Sequence, residues 1–524
     1  MVKKILTCFL FVLLFHSVLA QQNIDVLHYR YSIRLSDASD TIEGAAFMMV
    51  VQKSTGPAIQ LDLVSLNKEG KGMKVIAAGT EEDNFLKYNH ANNKLQIHVP
   101  GLKKGDTATV YVRYRGVPAN GLIISKNRHG DRTFFADNWP DRAHHWIPCN
   151  DRPDDKASFE FFVTAPDHYS IISNGIRVGE KQEKAGMKQT YWKESIPQPT
   201  KVMVIGAARF AIKIFADSPE NIPVSAWIFP QDSAKGFYDY ALAPGILKFL
   251  MEYIGDYPYK KLANVQSKTM FGGMENASAI FYSEGSVTGE RDSEDLLAHE
   301  IAHQWFGNMA TEKSFDHLWL SEGFATYLTN IYLENKYGVD SMNQRLEDDR
   351  EEILEFATKH KHPVVDSICS NMELLNANSY QKGGWVLHML RNEVGDIKFR
   401  EIIRTYYERF KGKNAGTRDF EQVAERVSGK ELTWFFDQWL YRAGIPELKM
   451  ESRIQDGHWY IYITQQDEPY RFFLDFEIVD EDGGLIRERF EVKEKESVFK
   501  VPVKGNRIMF SIDPQVKLLY KLAD

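Results

Sequence analysis

The sequence predicts a multidomain α+β protein with an N-terminal antiparallel β domain, a mainly helical middle and a small C-terminal β-sandwich. Three observations carry this reading. Alternating apolar and polar runs recur up to about residue 216; beyond Pro223 the apolar spacing changes to three and four; after Gly444-Ile445-Pro446 the alternation returns. A period of two marks half-buried strands and a period near 3.6 marks helices, so the order reads β, α, β. A chain of 524 residues has room for several domains. Its 43% hydrophobic and 26% charged residues suit soluble domains with large cores.

Residues 1–20 have the three parts of a secretory signal peptide. Lys3 and Lys4 precede an apolar run at residues 5–15, and Val18-Leu19-Ala20 offers small residues for cleavage. That run is too short to span a bilayer, so the expectation is an exported protein, periplasmic or secreted, with no transmembrane segment in the mature chain. Residues 21–216 form the β domain, with strands at 29–35 and 108–114 and a buried strand at 201–206. Residues 217–444 are mainly helical, with helices at 241–254, 294–306, 321–333, 343–356, 397–410, 420–427 and 432–440. The acidic run at residues 347–352 reads as a helix's solvated face. Residues 445–524 return to strands, at 459–464 and 487–492. The net charge of -8 argues against a nucleic-acid partner. Cys149 and Cys369 make no disulfide framework, whether or not they pair, and neither has a neighbour that suggests a nucleophile.

The chemistry gathers in the helical part. His299-Glu300-Ile301-Ala302-His303 falls in the 294–306 helix, capped by Asp292 or Ser293. Residues four apart share a helix face, so both imidazoles can reach one metal ion. Glu300 lies about 100° round from His299 and is placed to act as a general base rather than a ligand. Glu322, with eighteen residues between it and His303, supplies the third member of a His₂Glu set. Gly272-Gly273-Met274-Glu275-Asn276 pairs glycines, which let a backbone approach a ligand, with a carboxylate that can meet a cation. Tyr380 stands just before a helix in Ser379-Tyr380-Gln381-Lys382-Gly383.

Together these residues resemble the gluzincin aminopeptidases typified by aminopeptidase N, which include the leukotriene epoxide hydrolase. The likeness extends to residues 146–153, 155–157 and 435–440 and covers nearly the whole mature chain. It implies a thermolysin-like catalytic domain and one zinc ion per chain, held by His299, His303 and Glu322. It implies Glu300 as general base and Tyr380 as donor to the oxyanion. The substrate would be a peptide with a free N-terminus, its α-amine held by Glu275 and its backbone aligned along Gly272, Gly273, Met274 and Asn276.

The sequence also departs from that family. The family's motif is usually Gly-Ala-Met-Glu-Asn, and Gly273 stands at its second place. Where many members put a Gln or Glu before the Pro-Cys landmark, this chain has Trp139, with Asp137 two residues earlier; either Asp137 supplies the carboxylate or Trp139 walls the first side-chain pocket. Leu375 replaces a second tyrosine, which counts against epoxide hydrolysis. No large C-terminal helical domain follows the sandwich, so a more open site is expected. The competing readings are a zinc endopeptidase and an inactive peptide-binding protein on the same fold.

Overall fold

The computed structural model describes residues 23–82, 84–219 and 221–523; the signal peptide expected at residues 1–20 lies outside them. Among these residues the N-terminal part is built on an eight-stranded sheet. In Ile42–Gln52 every second residue is buried, from Ile42 through Met48 to Gln52, so one face packs on the core. Ile24–Arg34 runs antiparallel to Ile42–Gln52 but parallel to Lys156–Pro166. The sheet is therefore mixed rather than purely antiparallel. Alternation reports which face is buried and is blind to strand direction, and the long stretch between these strands supplies the crossover a parallel pair needs.

A second sheet joins Ser170–Ser173, Ile205–Ala208, Arg132–Ala136 and Leu122–Lys126. Arg132–Ala136 ends directly before Asp137 and so delivers residues 137–139 to the domain boundary. The single buried strand expected at 201–206 is instead a 3₁₀ turn, Thr200–Val202, followed by Ile205–Ala208. Its periodicity is broken because Lys201 turns inward to pair with Glu312 of the next domain.

The sheet that carries the site has the order Ala211–Ile214, Val224–Ile228, Leu262–Ser267, Ala279–Ser283, Gly273–Met274. Its first strand precedes residue 216, so the hairpin into Val224–Ile228 straddles the boundary drawn from periodicity alone. Gly273–Met274 is its edge, antiparallel to Ala279–Ser283. The helices are α1 (Ser233–Asp239), α2 (Ala243–Tyr253), α3 (Glu294–Ala302), α4 (Trp319–Tyr337), α5 (Val339–Lys359), α6 (Gly383–Val394), α7 (Asp396–Phe410), α8 (Thr417–Ser428) and α9 (Thr433–Phe436). Among these residues no helix is long and apolar enough to cross a membrane.

Half-buried lysines tie the domains together. Lys156 of the β domain donates to the carbonyls of Asn308 (3.2 Å), Met309 (2.8 Å) and Lys413 (3.1 Å). Lys261 returns the contact to Ser173 O at 2.9 Å. An ammonium with several carbonyl acceptors keeps its hydrogen bonds while leaving water, so these seams fix register beside the apolar contact of Phe135 with Phe281 and Phe229. The C-terminal part pairs a four-stranded with a three-stranded sheet, packed through Trp459 on Phe476 (5.7 Å) and Phe490 on Phe499 (4.3 Å). It meets the helices where His388 Nε2 approaches Val516 O at 2.8 Å. Cys149 is buried, Cys369 half-buried, and neither is in a disulfide.

Candidate active site

α3 ends where the chemistry begins. Ser293 occupies its N-cap position but makes no capping hydrogen bond, and the helix stops at Ala302 rather than 306. His299 lies in the last turn and His303 at the C-cap, so both imidazoles face α4. Glu322, in the first turn of α4, meets them: its Oε2 is 3.3 Å from His299 Nε2 and 3.2 Å from His303 Nε2. The two Nε2 atoms are 3.0 Å apart. One ligand atom from each residue lies within 4.8 Å of the others, a group that could hold a metal ion.

The surroundings favour that use. His303 Nδ1 is 3.1 Å from Phe306 O and 3.2 Å from Ser321 Oγ. A hydrogen bond from Nδ1–H to the carbonyl leaves the Nε2 lone pair directed at Glu322, the tautomer a metal-binding imidazole needs. Burial alone would raise Glu322, yet His303 and His299 beside it hold its carboxyl well below the usual range. Against burial, Glu322, Glu275 and Glu300 push His303 up to about 10; with a cation in place of its Nε2 proton, two imidazole nitrogens and one anionic oxygen, converging with one side open, fit a four-coordinate site that keeps a position for water.

Glu300 is on the neighbouring face of α3 and almost fully buried. Burial pushes its carboxyl well above the ordinary value, opposed by His303 and reinforced by Glu275 and Glu322. Its side chain occupies space that only a glycine leaves free: a Cβ on Gly273 would sit 2.3 Å from Glu300 Oε1. The departure from alanine at this place therefore has a local physical correlate.

Glu275 follows the edge strand. Its carbonyl accepts from Gln304 Nε2 (2.8 Å) and Asn308 Nδ2 (2.7 Å), which pin the backbone behind α3. Its side chain is 5% exposed, and among the described residues Oε1 has no hydrogen-bond partner. Met274 is buried and lies between the pocket and the β-domain core. Asn276 is fully buried and stands behind the pocket wall rather than in it.

Tyr380 sits in a wide turn, Asn378–Lys382, that leads into α6. Its ring stacks on His299 with centroids 5.9 Å apart. Burial first, then Glu322, Glu275 and Glu300, raise its phenol well above 10, so it stays a donor. The turn's position depends on close helix packing: a Cβ on Gly323 of α4 would lie 2.8 Å from the Gly383 backbone of α6.

These residues line one pocket of about 390 Å³ with Trp139, Phe271, Gly272 and Leu375. Trp139 is in the wall, edge-on to Phe271 (6.1 Å) and Phe315 (5.7 Å). Asp137 is not. It is 1% exposed, paired with Arg142 Nη2 at 2.5 Å, and accepts from Thr269 Oγ1 (3.0 Å) and Met270 N (3.2 Å). Of the two alternatives, the geometry brings Trp139 to the site and makes Asp137 a prop for the segment entering Gly272. Asp295 of α3, Thr326 and Thr329 of α4, and Arg345 and Asp349 of α5 also line the pocket. Asp349 belongs to the acidic run expected to face solvent; Glu347, Asp348, Glu351 and Glu352 do, while Asp349 turns inward. Burial raises it to about 6 despite Arg345 nearby. No local signal distinguished it from its exposed neighbours.

Residues 26–202 match the family model described as the peptidase M1 N-terminal domain, and residues 238–439 match the peptidase family M1 domain. Glutamyl aminopeptidase of Rattus norvegicus is 27% identical over 65% of this chain and 36% of its own length. "Probable aminopeptidase 1" of Sulfurisphaera tokodaii is 26% identical over 94% of this chain and 63% of its own. A crystal structure of Legionella pneumophila aminopeptidase A in complex with aspartic acid shares the fold, with a TM-score of 0.81 at 17% identity, covering 96% of this chain and 60% of that one. The chain thus spans between 36% and 63% of the length of these relatives. With both M1 domains present in order, and the His299, His303 and Glu322 donors meeting in the second, the chain belongs to the peptidase M1 family.

Proposed function

We propose that this protein is an exported zinc aminopeptidase that removes residues from peptides with a free N-terminus. The observation that carries the reading is Glu275: a buried carboxylate without a partner for Oε1, in the same pocket as the three converging ligand atoms. A buried anion is costly unless a cation meets it, and a peptide's α-ammonium is such a cation. The names of the relatives support the same activity, and the leader pattern at residues 3–20 supports export.

His299, His303 and Glu322 would hold the zinc, which supplies Lewis acidity to the scissile carbonyl and makes water easier to deprotonate. The protein's own groups do the rest. Gly273–Met274 offers an open sheet edge along which the substrate backbone can add as a strand. Glu300, kept basic by burial, takes a proton from the attacking water and delivers it to the leaving amine. Tyr380 donates to the oxyanion, worth roughly 3–4 kcal/mol in comparable sites. Trp139 and Phe271 wall the space nearest Gly272 and favour an apolar first side chain, while Asp295, Arg345 and Asp349 meet the residue after the cut.

The test is hydrolysis of aminoacyl chromogenic substrates beside their N-acetyl forms, in the wild type and in Glu300→Ala. Cleavage of free-amine substrates alone, lost in the variant, supports the reading. Equal cleavage of blocked substrates points to an endopeptidase, and no cleavage of either to a peptide-binding protein.

A further inference from the structure

A second cluster of ligand-type atoms lies outside the pocket, in the segment between α5 and Tyr380. His362, Asp366 and Cys369 each present one such atom, and the three lie within 4.8 Å of one another. His362 Nδ1 is 2.9 Å from Asp366 Oδ2 and 3.8 Å from Cys369 Sγ. A tight turn builds the arrangement. Asp366 Oδ1 accepts from the backbone N–H of Ile368 (2.8 Å) and Cys369 (3.3 Å), which swings the thiol back toward its own carboxylate. Asp366 is 4% exposed on its side chain and His362 38%, so the cluster has a closed floor and an open approach.

Two chemistries use a cysteine, a histidine and an aspartate. In a nucleophilic relay the thiol and the carboxylate must sit on opposite ring nitrogens, one to pass a proton and the other to orient the ring. Here both meet Nδ1, so the relay is excluded by geometry. Convergence of one nitrogen, one oxygen and one sulfur on a common point is the arrangement of metal ligands. Tetrahedral zinc, with bonds of about 2.0–2.3 Å, separates its donors by roughly 3.3–3.8 Å. The observed separations of 2.9 and 3.8 Å approach that range with small side-chain shifts.

We propose that His362, Asp366 and Cys369 form a second metal site, for a borderline-soft divalent cation of the zinc class. Binding replaces the thiol proton, which is released to solvent, and leaves a thiolate–metal bond. The ring of His360 stacks on Phe356, 6.5 Å from that of His362, and is not one of the converging ligands. The site lies on the segment that presents Tyr380. Asn378 Nδ2 donates to His362 O (2.9 Å) and Pro363 O (3.3 Å), so both ends of the loop are tied beside it. A metal there would fix the approach to Tyr380 without touching substrate.

Cobalt(II) distinguishes the two sites, because only this one offers sulfur. The purified chain, stripped by chelator and dialysed against cobalt(II), should bind two ions and show a thiolate-to-cobalt charge-transfer band. Cys369→Ser should bind one ion and lose the band; Glu322→Ala should also bind one ion but keep it. His362→Gln is the second variant should Cys369→Ser not fold. One ion in the wild type, no charge-transfer band, or a band that survives Cys369→Ser overturns the proposal, the last by assigning the sulfur to Cys149.

Discussion

Residues 137–142 and residues 272–276 meet at one wall of the pocket, and each brings a buried carboxylate. Asp137 is surrounded by donors: Arg142, the Thr269 hydroxyl and the Met270 amide. Glu275 is nearly as buried, yet its Oε1 meets nothing among the described residues. Both are acids beside a Trp- and Phe-lined cleft, but Glu275 lines it and Asp137 lies behind it, and their partners differ accordingly. A carboxylate satisfied from within holds the fold, whereas one left unsatisfied costs stability, which is the basis of the proposed amine site.

The sharpest way to break this contrast is Glu275→Ala. It should lower kcat/KM for free-amine substrates by about 10²- to 10³-fold, the loss of roughly 3–4 kcal/mol from a buried charge pair. Its melting temperature should not fall, because a buried carboxyl with an unpartnered Oε1 has been removed. A large drop in melting temperature with activity intact would falsify the assignment of Glu275 to the ligand. Asp137→Ala should do the reverse, destabilising the protein by roughly 3 kcal/mol in denaturant melts because Arg142 is left buried and unpaired. Its kcat should change much less than that of Glu275→Ala, and a loss as large would put Asp137 back into substrate binding.

A finer probe is Gly273→Ala. The added methyl must displace the flexible end of Glu300, so kcat should fall by about tenfold or less with KM nearly unchanged. An unchanged kcat would mean that Glu300 has room to move. The smallest effect belongs to Asp349, lifted by burial to about 6. The raised carboxyl is neutral below that value and anionic above it. KM for peptides with Lys or Arg after the cut should therefore fall a few-fold between about pH 5 and 7, at roughly one proton's worth of charge. Asp349→Asn should flatten that dependence, and peptides with a neutral second residue should not show it.

The reach of sequence reading follows the range of the physics. His299 and His303 were legible because four residues on a helix return to one face, and Glu322 because the next helix starts at a fixed interval. Tyr380 and Glu275 were legible through their motifs. α6 is the helix expected just after Tyr380, though the sequence gives it no bounds; in the fold Gly383 lets it touch α4 at Gly323. Asp349 was read with its solvated neighbours, since a run of acids does not say which one the tertiary packing turns inward.

The sequence alone determined the β, α, β order from its periodicity, and it named the His299, His303 and Glu322 group by helix spacing and motif. Tertiary structure decided that one strand pair of the N-terminal sheet is parallel, that Trp139 rather than Asp137 walls the pocket, and that Glu300 fills the space beside Gly273. Each of these depends on where segments far apart in the chain are brought together by sheet register and helix packing. Residue type names what a side chain can do, and the long-range partners decide whether it is free to do it.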